Sequence, residues 1–398
     1  MTDRSRATGG TGFGVENLPY GVVRTHAVPD PRVVVRHGDS VVDLAAGEIG
    51  ARAGVDAGVF ARASLNDFMA LGPGAWTAVR SAVRGLIETG GDALAAVTIP
   101  LDDVEVMLPL EIGDYVDFYS SINHATNLGK ILRPDTDPLL SNWKHLPVGY
   151  HGRSGTVVVS GTRVARPAGL VEGPTGPTFM PTRALDIELE VGFVVGVGGT
   201  RLAPDDADRH IFGVVLLNDW SARDIQALEY QPLGPHLAKS FATTISPWVV
   251  PLDALTPFLV PAPVQDPEPA EYLRATRPWG LDLELRVALN GTEICATNFC
   301  DMYWTFAQQL AHMTVNGATT RPGDLYGSGT VSGAEVGQRG SLMEITWRGR
   351  DPLTLGDGSR RTFLEDGDTI EITGWCGGEG RPNLAFGSCT GTIVARED

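Results

Sequence analysis

Within eight residues, the segment Asp117-Phe118-Tyr119-Ser120-Ser121-Ile122-Asn123-His124 carries a carboxylate, a phenol and an imidazole. An imidazole titrates near neutral pH and suits proton transfer from water, and a carboxylate suits a hard cation or a fixed hydrogen bond. Alone, a histidine in such a segment is more often structural than catalytic, because a short motif acquires chemical meaning only in its structural context. Further along lies Leu185-Asp186-Ile187-Glu188-Leu189-Glu190-Val191-Gly192-Phe193. As a strand it would put Asp186, Glu188 and Glu190 on one face and the apolar side chains on the other. Carboxylates two residues apart sit roughly 6 to 7 Å from each other at the Cα atoms, near enough to converge on one ion. A solvated polar face is the competing reading, since aligned like charges repel unless a positive group neutralises them.

A third group follows the apolar run Ile211–Leu217, which ends in Asn218-Asp219-Trp220. On the helix expected over Ser221–Tyr230, Arg223, Gln226 and Tyr230 fall at i, i+3 and i+7 and share a face. Asp219 either caps that helix or contributes a carboxylate to a polar pocket. Lys239 is the one charged side chain between Gln231 and Val250, and an isolated lysine among apolar and hydroxyl residues calls for an acidic partner. Glu344 lies on the polar side of Leu342–Trp347, read here as a strand, where it is either solvated or part of the same chemistry. The chain has no G-x-S-x-G, Walker, dinucleotide-binding or H-E-x-x-H motif, so those chemistries have no support.

The elements that must position these residues are mostly strands. Before residue 100, Val22–Arg24, Arg32–Arg36 and Ser40–Asp43 read as a small antiparallel sheet broken by Pro29-Asp30-Pro31 and Gly38-Asp39. Ala75–Glu88 has helical spacing of Trp76, Val79, Val83, Leu86 and Ile87. Thereafter Val157–Val159, Leu185–Val195, Ile211–Leu217, Leu281–Leu289 and Thr369–Thr373 read as strands, and Asn290-Gly291 predicts a tight hairpin turn. The proline-rich stretch Pro251–Pro278 is expected to run over the surface. These patterns predict two domains, 1–108 and 109–398, in a mostly β, α+β chain.

With 42% hydrophobic and 20% charged residues the sequence describes a globular protein, so a packed core is expected. The net charge of −17 would repel a phosphate backbone, which argues against nucleic acid as a partner. Four widely spaced cysteines do not make a disulfide framework, and reduced, buried thiols are expected. The opening Met1–Arg6 lacks the apolar run of a signal segment and no stretch is long enough for a bilayer span, so a cytoplasmic location without a membrane partner is expected.

The segments Asn17–Gly21, Ile112–Gly129, His145–Arg153, Leu185–Glu190, Asn218–Gln226, Lys239–Trp248 and Arg321–Leu325 together closely resemble the fumarylacetoacetase family. The resemblance runs nearly end to end and includes an amino-terminal module that shorter members of the superfamily lack. It implies a small β-barrel-like amino-terminal domain, a large catalytic β-roll and a homodimer. Carried over residue by residue, it implies that Asp117, Glu188, Glu190 and Asp219 hold a divalent metal, Mg²⁺ or Ca²⁺, with Lys239 and Thr243 beside it. His124 would activate water with Glu344 orienting it, and Arg223, Gln226 and Lys239 would stabilise the oxyanion and leaving group. Tyr119, Arg133, Tyr150, Arg223, Gln226, Tyr230 and Thr330 would hold a dicarboxylate diketone. Two local departures, Ile122-Asn123 before His124 and Ala238 before Lys239, fall outside every implied role. Four carboxylates nearly balance a divalent ion, Lys239 and Arg223, which leaves Arg133 and the tyrosines to meet the substrate's charge. Rival readings are another member of the superfamily acting on acylpyruvates or other oxo-acids, and a non-catalytic binding protein on the same fold.

Overall fold

The computed structural model describes residues 12–396, so Met1–Arg6 lies outside the described residues. The fold is α+β, with a small amino-terminal sheet and a larger strand-rich body. The amino-terminal sheet has five strands, Tyr20–Thr25, Arg32–His37, Ser40–Asp43, Thr98–Pro100 and Val104–Met107. Pro73–Thr89 forms the expected helix, with Val79, Val83 and Leu86 turned into the core.

The body is built on an eight-stranded sheet that contains the neighbouring strands Gly149–His151, Tyr115–Phe118, Leu325–Gly327, Leu189–Val195, Ile211–Asp219, Thr243–Ile245 and Val157–Val159, in that spatial order. Both faces of this sheet are covered. On one, Val191, Phe193, Val214 and Leu216 join the main core beside Leu285, Val287, Ile370 and Ile372 of a second sheet. On the other, Tyr115, Val194, Val215, Leu217, Ile245 and Leu325 pack against Tyr20, Val22, Phe68 and Val79 of the amino-terminal half. That double burial explains why Ile211–Leu217 is apolar without alternation, as a strand between two packed layers should be. The two halves of the chain therefore share a hydrophobic core.

Several expectations are modified. The strand read over Leu185–Val195 is two pieces, Leu185–Asp186 and Leu189–Val195, which pair with different partners. Pro251–Pro278 is not only a surface connection: Leu255, Phe258 and Leu273 within it are fully buried, so proline-limited backbone has been recruited into the core. Leu342–Trp347 is not a strand. Leu342–Ile345 is a short helix whose N-cap, Ser341, accepts a hydrogen bond from the Glu344 amide. Six residues carry too little periodicity to separate the two structures, and the Ser-x-x-Glu cap decides for the helix. The hairpin is as expected: Asn290 and Gly291 both adopt positive φ between Glu284–Leu289 and Thr292–Asn298. Cys295, Cys376 and Cys389 are buried free thiols, and Cys300 is partly exposed. Among the described residues no helix is long and apolar enough to cross a membrane.

Candidate active site and metal centre

Alternation along five adjacent strands assembles the acidic centre. Asp117 follows Tyr115 at i+2, Gly327 follows Leu325, Glu190 precedes Val194 by four, Asp219 follows Leu217, and Thr243 precedes Ile245. All share the face that the amino-terminal half covers, because strand side chains repeat every second residue. The apolar members anchor that half, and the polar members gather beyond it. Glu188 joins them from the break between Leu185–Asp186 and Leu189–Val195, a break that lets the chain leave strict alternation.

Asp117, Glu188, Glu190 and Asp219 are all buried, and each offers a carboxylate oxygen within 4.8 Å of the other three. Lys239 Nζ donates to Asp219 Oδ2 at 2.5 Å and to Glu188 Oε2, and Thr243 Oγ1 donates to Asp219 Oδ1 at 3.2 Å. Tyr150 donates its phenol to Asp219 Oδ2 at 2.7 Å. Arg223 gives Nη2 to Glu188 Oε1 at 2.7 Å and Nη1 to Gln226 at 3.1 Å. Burial alone would raise the Glu188 carboxyl, but Arg223, Lys239 and His124 outweigh it and hold it below the usual carboxylate range. Burial likewise opposes the Lys239 charge, and Asp219 with Glu188 overcome it, so the ammonium is held charged and serves as a counter-ion, not a ligand.

Asp117 and Glu190 stand in the opposite condition. Burial first, and then neighbouring carboxylates, push both well above the ordinary range. Asp117 Oδ1 and Glu190 Oε1 are buried with no hydrogen-bond donor directed at them among the described residues. Gly327 supplies the space: a Cβ there would lie 2.7 Å from Asp117 Oδ1 and 2.9 Å from Glu190 Oε2. An all-oxygen donor set with two uncompensated carboxylates and a side-chain-free floor fits a hard divalent cation. Gly327→Ala should therefore cut divalent-ion affinity at least about tenfold without unfolding the protein, consistent with the cost of disturbing groups around a metal site. Calorimetric titration of Mg²⁺ into the two proteins checks this, and equal affinities would contradict it.

The raised carboxyls also set a pH dependence. A carboxyl whose folded-state value exceeds its unfolded value, about 4, stabilises the fold below that pH and loses its contribution as pH rises. Asp117 and Glu190 should thus make metal-stripped protein progressively less stable, relative to metal-loaded protein, from about pH 4 upward. Melting temperatures of both forms across that range should diverge with increasing pH; parallel curves would contradict the assignment.

His124 lies beside this centre on the helix Ile122–Leu132, which Ser121 caps. Its Nδ1 donates to Glu344 Oε2 at 2.6 Å, and its Nε2 lies 3.7 Å from Glu188 Oε1. Glu344 is fully buried, not solvated, and also accepts from Asn127 Nδ2, Ser332 Oγ and Ser341 Oγ. Burial would raise its carboxyl, but His124 and these donors hold it below the usual range. The Tyr119 ring meets the His124 ring edge to face with centroids 5.2 Å apart. Burial, then the Glu344 and Glu188 charges, raise the Tyr119 phenol above its ordinary value, so it is a neutral donor.

The remaining expected residues are less closely tied. Arg133 donates Nη2 to the Pro138 carbonyl, with Nε unpartnered, and the buried Thr330 hydroxyl has no partner among the described residues. Tyr230 accepts from Gln231 Nε2 at 3.2 Å at the end of the helix Arg223–Glu229. Residue spacing did not single out Asn127, Ser341 or Gly327, and it grouped Asp186 with Glu188 and Glu190. Asn127 stands at i+3 from His124 on one helix face and Ser341 forms a Ser-x-x-Glu cap, signals that could have found both. A cavity of about 820 Å³ lined by Trp76, Arg80, Phe212 and Trp279 includes none of these residues.

Comparison with known proteins accounts for both halves of this arrangement. The family described as fumarylacetoacetase N-terminal matches residues 16–109, and the fumarylacetoacetate (FAA) hydrolase C-terminal family matches residues 115–394. Fumarylacetoacetases of Rattus norvegicus and Homo sapiens are each 46% identical, and that of Arabidopsis thaliana 45%, each over 96% of this chain and 96% of the relative. The solved fumarylacetoacetate hydrolase from psychrophilic Exiguobacterium antarcticum aligns with a TM-score of 0.56 over 95% of this chain and all of that one. At 18% identity that likeness concerns the fold alone. With two family segments matched in order and near full-length relatives at this identity, the chain belongs to the fumarylacetoacetase family and is a hydrolase.

Proposed function

We propose that this chain hydrolyses the carbon–carbon bond of 4-fumarylacetoacetate, giving fumarate and acetoacetate, the last step of tyrosine breakdown. The observation that supports it most is a histidine fixed by a buried glutamate and set against a four-carboxylate centre. Asp117, Glu188, Glu190 and Asp219 would hold Mg²⁺ or Ca²⁺, and that ion, when bound, would supply electrophilic stabilisation of the diketone oxygens.

The chain's own groups divide the rest. Glu344 holds the Nδ1 proton, so His124 presents the Nε2 lone pair to water and takes its proton. The hydroxyl oxygen adds to the fumaroyl carbonyl carbon, and Arg223, Gln226 and Lys239 meet the growing oxyanion charge. The carbon–carbon bond then breaks, its electron pair passing to the acetoacetate fragment as an enolate, and His124 returns a proton to that carbon. Arg133, Tyr119, Tyr150, Tyr230 and Thr330 orient the dicarboxylate; the unpartnered Thr330 hydroxyl and Arg133 Nε suit that task. The division into domains 1–108 and 109–398, a homodimer and a cytoplasmic location belong to the same proposal, on the strength of kinship.

Turnover in ¹⁸O-labelled water tests the chemistry. One labelled oxygen is expected in the newly formed carboxylate of fumarate and none in acetoacetate beyond exchange. Attack on the other carbonyl would instead release malonate and 4-oxopent-2-enoate, so those products, or fumarate without label, would contradict the assignment.

A further inference from the structure

Asp186 shares a strand face with Glu188 and Glu190 in the sequence, yet it is not in the carboxylate cluster. Its side chain is fully buried and receives four donors. Oδ1 accepts from the amides of Ile187 and Leu342, both at 2.7 Å. Oδ2 accepts from the Met343 amide at 3.0 Å and from Arg223 Nε at 2.8 Å. Arg223 thereby has all three guanidinium nitrogens committed: Nε to Asp186, Nη1 to Gln226 and Nη2 to Glu188. Leu342 and Met343 open the helix whose third residue, Glu344, holds His124. A carboxylate needed only to neutralise Arg223 would not spend two acceptor positions on that helix.

We propose that Asp186 is a positioning residue that fixes the Arg223 guanidinium and the Glu344–His124 pair relative to each other by hydrogen-bonding both at once. It touches neither the water nor the substrate. This inference rests on the proposed roles of His124 and Arg223, and it matters because the two act on opposite ends of one event. The base removes the water proton while the guanidinium receives the oxyanion charge, and a misplacement of about 1 Å between such groups costs on the order of 100-fold in rate.

The test uses metal-loaded full-length protein with Mg²⁺. The Nδ1 proton of His124, in its short bond to Glu344, should give a downfield ¹H resonance, assigned by its absence from His124→Gln. Asp186→Asn places an amide against two N–H donors. It should shift or broaden that resonance and lower kcat about 100-fold with little change in KM, while Mg²⁺ affinity by calorimetry stays as in the wild type. An unmoved resonance with wild-type kcat would overturn the proposal, as would loss of Mg²⁺ binding in parallel with kcat, which would place Asp186's action on the acidic centre. Should Asp186→Asn not fold, Arg223→Lys keeps a positive charge against Glu188 but has no Nε–H for Asp186; it should move the same resonance, and an unmoved one overturns the proposal. If the wild type failed to cleave fumarylacetoacetate, the proposed function would fall, while the resonance and Mg²⁺ titration would still decide the link between Arg223 and Glu344.

Discussion

Replacing His124 by alanine should lower turnover about 10²- to 10⁴-fold, the usual range for removing a general base, and leave Mg²⁺ affinity nearly unchanged. The separation follows from the geometry. His124 Nδ1 is bound to Glu344, Nε2 lies 3.7 Å from Glu188, and the four oxygen donors of the centre come from other residues. Removing the imidazole takes away the proton acceptor and leaves the four carboxylates, Lys239 and Arg223 in place. If His124 instead served only packing, the variant would melt at lower temperature and turn over normally when folded. Steady-state kinetics together with calorimetric Mg²⁺ titration distinguish these results.

Opposite signs are expected for two neutral substitutions in the same carboxylate cluster. In metal-stripped protein, Glu188→Gln should destabilise the fold by about 3 to 5 kcal/mol, the cost of breaking a buried ion pair from one side. Glu188 is the shared partner of Arg223 and Lys239, both buried, and its loss leaves both less compensated. Asp117→Asn should leave the stripped protein as stable as wild type or more so. Burial and neighbouring carboxylates push the Asp117 carboxyl well up, so its ionised form is a burden without a cation. Both variants should lose Mg²⁺ binding. Urea midpoints of the stripped proteins check the sign, and equal destabilisation by the two substitutions would contradict this account of the centre's charge balance.

Much of the site was legible because its residue types are hard to place otherwise. Lys239 stood alone in a neutral stretch, and it does find Glu188 and Asp219. Glu188 and Glu190 were visible on one strand face, but alternation wrongly grouped Asp186 with them. The chain breaks between Asp186 and Leu189, and that departure turns Asp186 towards Arg223 and the Leu342–Ile345 helix. Glu344 was the hardest to read. Its six-residue surroundings satisfy either period, and two of its partners, Asn127 and Ser332, arrive from separate segments, while Ser341 caps its own helix. The amino-terminal sheet and helix followed from turn residues and apolar spacing. Their packing on the outer face of the central sheet could not be read that way, because a continuous apolar strand says that both faces are covered, not by what.

The most direct test of the central claim is the loss of the diketo-enol absorbance of fumarylacetoacetate under protein loaded with Mg²⁺ or Ca²⁺ and under the same protein after chelation. Catalysed loss with stoichiometric fumarate and acetoacetate is expected in the loaded protein, abolished by the chelator and restored by adding the ion back. Absence of turnover by the loaded protein, or turnover indifferent to the chelator, would contradict the claim.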